Sequence, residues 1–109
     1  MPTTKLAQPV ATYIAAANAQ DNNAVTGCFT EDAVVHDEKQ DRRGIAAIRT
    51  WAEEVSGKYR PTVEVLDVAQ MGGTTVVAGR VSGQFPGSPI ELRYAFTLKG
   101  EKIERLEIA

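Results

Sequence analysis

The stretch Phe29-Thr30-Glu31-Asp32-Ala33-Val34-Val35-His36-Asp37 decides how this chain is organised. A helix is predicted to end near Phe29, and the apolar run from Ala33 to Asp37 is typical of a short strand. That strand delivers the Asp37 carboxylate just before a polar segment, residues 38–43, which we predict to be a loop. A carboxylate at the end of a buried strand must be solvated or hydrogen-bonded. The same placement is a common way to hold a general base in a pocket.

Side chains alternate along a strand, so Val35 and Asp37 share one face while Val34 and His36 share the other. Either Asp37 or His36 can therefore face a cavity, but hardly both. Two interpretations of Asp37 stay open: a pocket carboxylate, or a solvated strand-end residue that caps the following loop. His36 is expected to point outward or to lie at the rim of a pocket.

Length and composition exclude several classes of function. A chain of 109 residues predicts one domain, residues 1–109, and its net charge of -2 without a basic patch gives no reason to expect nucleic acid or a membrane as partner. One cysteine and one histidine without paired spacing do not make a zinc motif, so no metal site is expected, and Cys28 is expected in the core. The segment Met1–Lys5 does not lead into the apolar region of a signal peptide, and no apolar run is long enough to cross a bilayer. We therefore predict a cytoplasmic protein.

Three helices are predicted in the first half of the chain. Apolar residues at helical spacing indicate a helix from Pro9 to Gln20, with Tyr13 on its buried stripe. Tyr13 is either a core tyrosine or a phenol aimed into a pocket. A short helix is predicted over Ala24–Phe29, and a long one over Gly44–Tyr59 with Trp51 on its apolar stripe.

The second half of the chain has the pattern of strands. Valine-rich and alternating segments predict strands over residues 62–71, 74–84, 90–98 and 102–108, and Gly72-Gly73 is typical of a hairpin turn. Helices followed by an antiparallel meander indicate an α+β fold. We predict a cone-shaped, curved antiparallel sheet packed on three N-terminal helices, because one strongly apolar sheet face must be covered. The open mouth of such a cone is a natural pocket for a small molecule.

Three stretches together resemble a known family. They are Tyr13-Ile14-Ala15-Ala16-Ala17-Asn18-Ala19-Gln20-Asp21, the run from Cys28 to Asp37, and Arg43-Gly44-Ile45-Ala46-Ala47-Ile48-Arg49. They are similar to the nuclear transport factor two-like superfamily, and within it to the bacterial ketosteroid isomerases and SnoaL-like polyketide cyclases. The resemblance implies a cystatin-like, ketosteroid isomerase-like fold. It is less specific for an activity, because the fold hosts isomerases, cyclases, dehydratases, epoxide hydrolases and non-enzymes.

The resemblance also implies functional residues. Asp37 falls where ketosteroid isomerases place their proton-shuttling base, and Tyr13 falls where they place the phenol of the oxyanion hole. Tyr94 stands where those enzymes carry a second, protonated acid. A phenol can also donate a hydrogen bond, so the oxyanion hole could be rebuilt from the two tyrosines, or steroid isomerisation could be lost. Six further residues are expected in the apolar wall that binds substrate: Val35, Trp51, Phe85, Phe96, Leu106 and Ile108.

Two functions from different classes follow. One is a cofactor-independent enzyme of the isomerase or cyclase type, in which Asp37 removes a proton alpha to the carbonyl of an apolar, polycyclic substrate. The other is a non-catalytic domain of the same fold that binds an apolar ligand or dimerises, a reading favoured by the departure at Tyr94. The resemblance further implies a homodimer formed through the outer sheet face, where Arg80, Arg93 and Arg105 mix with Glu91 and Glu107.

Overall fold

The computed structural model describes residues 6–109, so the interpretation of Met1–Lys5 lies outside the described residues. Within this range, three helices and six strands follow one another. They are α1 (Gln8–Asn18), α2 (Asn22–Gly27), β1 (Phe29–Asp37), β2 (Gln40–Arg43), α3 (Ile45–Tyr59), β3 (Thr62–Met71), β4 (Thr74–Ser82), β5 (Ile90–Lys99) and β6 (Lys102–Ile108). Residues 6–109 contain no helix with the length and apolarity needed to span a membrane.

The predicted α+β class is confirmed, with all three helices packed against one curved, unclosed sheet of order β2-β1-β6-β5-β4-β3. After the β1–β2 hairpin, α3 carries the chain to the far edge of the sheet. From there β3 to β6 return as an antiparallel meander, as the sequence predicts. This path places β6 beside β1 in the same direction, so the β1–β6 pair is parallel and the sheet is mixed.

Residues 38–43 are not the predicted loop. Gln40–Arg43 forms β2, which pairs with β1 through a two-residue turn, Glu38-Lys39. Both turn residues have positive φ, 53° and 64°, where glycine or asparagine is usual. The sequence did not predict this strand because its side chains are mostly exposed at a sheet edge and show no alternation of apolar and polar residues.

Strand β1 also begins earlier than predicted. Helix α2 ends at Gly27, and the strand starts at Phe29 rather than Ala33. The pairing of β1 with β6 shifts register between Phe29 and Val34, and the exposed residues Glu31 and Asp32 lie in that irregular part. A bulge of this kind breaks the alternation from which strands are recognised.

The end of α1 is fastened to the edge strand β3 by side-chain amides. Asn18 accepts a hydrogen bond from the backbone N–H of Val63 at 2.7 Å and donates one to its carbonyl at 3.0 Å. Gln20 donates to the carbonyl of Pro61 at 2.8 Å and accepts from the Ser56 hydroxyl on α3 at 2.8 Å. These contacts satisfy backbone groups at the edge of the sheet and join the end of α1 to β3 and α3.

Candidate active site

A cavity of about 600 Å³ lies between the concave face of the sheet and helices α1 and α3. Its wall is mostly apolar and aromatic, and a few polar side chains interrupt it. This is the composition and size expected of a site for a small organic molecule. Asp37, Tyr13 and Tyr94, the three residues for which the family resemblance implies a role, all line this one cavity.

Asp37 ends β1 and places its half-buried carboxylate in the cavity wall. The indole N–H of Trp51 on α3 donates a hydrogen bond to Oδ2 of Asp37 at 3.0 Å. The Arg42 guanidinium donates to the backbone carbonyl of the same residue. Of the two interpretations left open by the sequence, the structure therefore places Asp37 as a cavity carboxylate.

The Tyr13 phenol comes from α1 and is buried, with only 4% of the residue exposed. Its ring packs edge-on against Phe29 and Phe96, at centroid distances of 6.0 and 5.5 Å. No described residue forms a hydrogen bond with its hydroxyl, and the residue lines the cavity. Burial raises the pKa of Tyr13 well above its usual value, and the nearby Tyr94 and Asp37 add to that rise.

The Tyr94 phenol comes from β5, where its residue pairs with Val77 of β4 and Ile108 of β6. Its ring stacks on Phe96 at a centroid distance of 6.3 Å. Burial raises the pKa of Tyr94 too, and the negative charge of Asp37 contributes to the rise. Both phenols therefore remain protonated hydrogen-bond donors beside one carboxylate, the three groups that the family resemblance singled out.

The raised pKa values predict how stability depends on pH. In the unfolded chain, tyrosine phenols ionise at about pH 10, whereas the folded protein keeps these two protons at higher pH. Their contribution is thus fully present below about pH 10 and is lost as the pH rises further. We expect Tyr13→Phe and Tyr94→Phe each to flatten this decline by up to about 1.4 kcal/mol per pH unit. Denaturant unfolding between neutral and strongly alkaline pH measures it, and a decline that neither substitution alters would contradict the prediction.

Half of the predicted apolar wall lines the cavity. Trp51, Phe85 and Ile108 do so. Val35, Phe96 and Leu106 do not: they are fully buried at neighbouring positions of β1, β5 and β6, and the prediction for them is wrong. Each lies on the concave face, two residues along its strand from a residue that does line the cavity. Alternation identifies the face of a strand but not the depth at which the helices close over it.

Several lining residues were missed by the sequence reasoning. The Tyr59 hydroxyl at the end of α3 donates to the Glu38 carboxylate at 3.2 Å, and its ring meets Phe85 edge-on at 5.9 Å. Glu38 lies in the β1–β2 turn, which the sequence did not predict, so no pattern indicated that this residue lines the cavity. Gly79 is a different case: a Cβ there would approach Cγ1 of Val63 to 2.7 Å and Cε1 of Tyr94 to 3.6 Å, so this glycine leaves space for neighbouring wall residues.

His36 lines the same cavity as Asp37, so the expectation from strand alternation that hardly both residues could face it is wrong. The imidazole contacts the carboxylate of Asp41 and not that of Asp37. Its Nδ1 is 2.7 Å from Oδ1 of Asp41, and its ring is partly exposed. Cys28 is buried and donates to the Ala24 carbonyl at 3.3 Å, which fits the expected core position. Within residues 6–109, no three histidine, cysteine, aspartate or glutamate side chains are grouped to hold a metal ion.

Comparisons with known proteins agree with this fold. A family model for the SnoaL-like domain matches residues 10–105. A protein of Sinorhizobium meliloti, provisionally assigned as a polyketide cyclase, is 38% identical over 95% of both chains, with a TM-score of 0.91. The epoxide hydrolase/cyclase-like enzyme SalBIII, which acts in pyran ring formation in the polyether salinomycin, is 27% identical, covering 92% of this chain and 85% of its own, with a TM-score of 0.80.

More distant structures share the fold alone. A Catenulispora acidiphila protein with a ketosteroid isomerase-like fold has a TM-score of 0.83 at 17% identity, and the match covers 96% of this chain and 86% of that protein. No curated protein matches the chain.

Proposed function

The chain belongs to the SnoaL-like domain family, and from this premise we propose that it is a small-molecule enzyme that transfers a proton at the carbon alpha to a carbonyl group. The observation that carries the proposal is the meeting of one carboxylate and two protonated phenols in a single apolar cavity. A carboxylate can accept a proton from carbon, and phenols can stabilise the oxygen on which charge then develops. The chain's own side chains supply each of these groups.

The proposed reaction begins with an apolar ketone in the cavity. The Asp37 carboxylate takes a proton from the alpha carbon, and the electron pair of the broken C–H bond moves to the carbonyl oxygen to give an enolate. Tyr13 and Tyr94 donate hydrogen bonds to that oxygen. Preorganised donors of this kind lower barriers by roughly 3–4 kcal/mol each in water-poor sites.

The enolate can then react in two ways. In an isomerisation, protonated Asp37 returns the proton to a different carbon of a conjugated substrate. In a cyclisation, the enolate carbon attacks a second carbonyl of the same molecule, and the proton on Asp37 passes to the new alkoxide. The relative provisionally assigned as a polyketide cyclase supports the second course, and the ketosteroid isomerase-like fold is compatible with the first.

The test uses 2-tetralone, a bicyclic ketone with acidic alpha protons that fits a cavity of about 600 Å³. In deuterium oxide, the protein is expected to accelerate loss of the alpha-proton signals in the proton NMR spectrum. Its enol analogue 2-naphthol is expected to bind and to slow that exchange. Binding of 2-naphthol without any accelerated exchange would instead support the second candidate, a domain that binds apolar ligands without catalysis.

We further propose that two copies of the chain associate through the convex face of the sheet. The centre of that face carries small, half-buried side chains: Val76, Ala78 and Ala95. Charged pairs flank it, with Arg80 3.2 Å from Glu64 and Arg105 3.2 Å from Glu107. A face with a small-residue centre and interspersed charges of both signs can meet a copy of itself across a two-fold axis.

Ala95→Glu is expected to leave the fold intact and to abolish this association. The new carboxylate would stand opposite its own copy at the centre of the face, while in the single chain it would lie beside the exposed Glu107 at a solvated surface. Light scattering should give a mass of twice the 11.8 kDa chain for the wild type and for the control Thr50→Glu, which alters an exposed position on α3. A wild-type mass of one chain, or an Ala95→Glu variant that stays dimeric, would contradict the proposal.

We place this activity in the cytoplasm, with no nucleic acid or membrane as partner. The net charge of -2 offers no electrostatic attraction to either polyanion. The lone thiol of Cys28 is buried and is compatible with a reducing compartment.

A further inference from the structure

The indole N–H of Trp51 distinguishes the two oxygens of the Asp37 carboxylate. Nε1 donates to Oδ2 at 3.0 Å, whereas no described residue forms a hydrogen bond with Oδ1. Trp51 is buried, with 4% of the residue exposed, and it is the only tryptophan in the chain. The carboxylate is therefore held through one oxygen and open to the cavity through the other.

Support for this arrangement comes from the backbone as well. The Asp37 carbonyl accepts a hydrogen bond from Arg42 across the β1–β2 hairpin, which fixes the main chain from which the carboxylate projects. Trp51 itself lies on the buried stripe of α3 with Ile48 and Ala52, so packing restricts rotation of its ring. Two elements of the fold thus fix one side chain at the place where chemistry is proposed.

We propose that Trp51 is a positioning residue that makes Oδ1 of Asp37 the atom that takes and returns the proton; this inference rests on the proposed function. The N–H can donate to Oδ2 when Asp37 is a carboxylate, and equally when Oδ1 carries the proton and Oδ2 is the carbonyl oxygen of the acid. The carboxyl group therefore stays in one orientation through both proton transfers. A neutral indole achieves this without the opposing full charge that a lysine or arginine would bring.

Removal of the N–H should slow the proton transfer and leave ligand binding in place. Because the chain has a single tryptophan, replacing tryptophan with β-(3-benzothienyl)alanine exchanges this one N–H for sulfur and preserves the shape of the ring. We expect kcat for alpha-proton exchange of 2-tetralone to fall by about tenfold or more in this variant and in Trp51→Phe, since small errors in placing a reacting group cost factors of this order. In the benzothienyl variant, KM and the Kd of 2-naphthol should change by less than about threefold, because the ring keeps its shape in the cavity wall and only the base is released.

The control is Thr50→Ala, which alters the neighbouring exposed residue of α3 and should leave kcat unchanged. A second readout needs no turnover: the indole ¹H–¹⁵N resonance of Trp51 should shift on Asp37→Leu, which removes the acceptor. A benzothienyl variant with wild-type kcat, or an indole resonance indifferent to Asp37→Leu, would overturn the inference. Absence of exchange by the wild type would instead refute the proposed function, and the indole resonance would still decide whether the anchoring contact exists.

Discussion

Asp37→Asn is expected to lower the rate of alpha-proton exchange by about 10³-fold, within the range observed when a general base is removed. An amide cannot accept a proton from carbon, so the first step of the reaction loses its acceptor. The substitution preserves the volume of the side chain, and the amide oxygen can still accept the hydrogen bond from Trp51. The fold and the cavity should therefore survive, and the effect should appear in kcat. Proton NMR of 2-tetralone in deuterium oxide provides the measurement.

A matched control is available on the same hairpin. Asp41→Asn makes the same chemical change at an exposed carboxylate, which pairs with His36 and takes no part in the cavity wall. Its exchange rate should equal that of the wild type. The Asp37→Asn variant should bind 2-naphthol at least as tightly as the wild type, because the enol analogue no longer meets a negative charge. Wild-type exchange by Asp37→Asn, with the fold intact, would remove Asp37 from the mechanism.

The sequence predicts the class of this fold because its strongest patterns are those that burial imposes. The apolar stripe of α3 and the alternation in β5 correspond to faces that are covered in the structure. Strand β2 has no such pattern, since it is a polar edge strand joined to β1 by a turn without glycine or asparagine. Its existence depends on pairing with β1, a long strand whose own beginning is irregular. Pairing between segments is a property of the assembled sheet, and a local pattern cannot contain it.

The polar residues of the candidate site could be predicted from the sequence, whereas its apolar residues could be predicted only in part. Asp37, Tyr13 and Tyr94 carry functional groups of distinct chemistry, and the family resemblance aligned them one by one. Phe96 and Ile108 share the concave face of neighbouring strands, yet Phe96 is fully buried in the core and Ile108 borders the cavity. That difference depends on where the helices end above the sheet. The curvature of the sheet and the positions of α1 and α3 set it, and no single segment encodes them.

The contact between Trp51 and Asp37 also lay beyond the sequence. The two residues are fourteen positions apart on a helix and a strand, and neither pattern refers to the other. A tryptophan on an apolar helical stripe indicates burial, but the direction of its N–H follows from the packing of α3 against β1. The sequence thus predicted the position of the proposed general base, whereas its hydrogen bond with the indole became apparent only in the folded molecule.

Tyr13→Phe and Tyr94→Phe are each expected to reduce kcat for exchange by about 10²-fold, the loss typical when one donor to a developing oxyanion is deleted. The hydroxyls interact most strongly when the substrate oxygen carries negative charge, so the loss should fall on kcat more than on KM. Both rings pack against Phe96, and phenylalanine preserves that packing. The comparison therefore isolates the hydroxyl groups. Steady-state kinetics of the two variants supply the test.

The double variant Tyr13→Phe/Tyr94→Phe decides whether the two phenols act on the same oxygen. If they share it, either hydroxyl alone still holds the enolate, and removal of the second leaves the charge unsupported in an apolar cavity. The double variant should then exchange more slowly than both single variants and approach the rate of Asp37→Asn. Normal kcat in Tyr94→Phe, together with a slow Tyr13→Phe variant, would show an oxyanion site with one donor. Tyr94 would then contribute only packing, through the contact of its buried ring with Phe96.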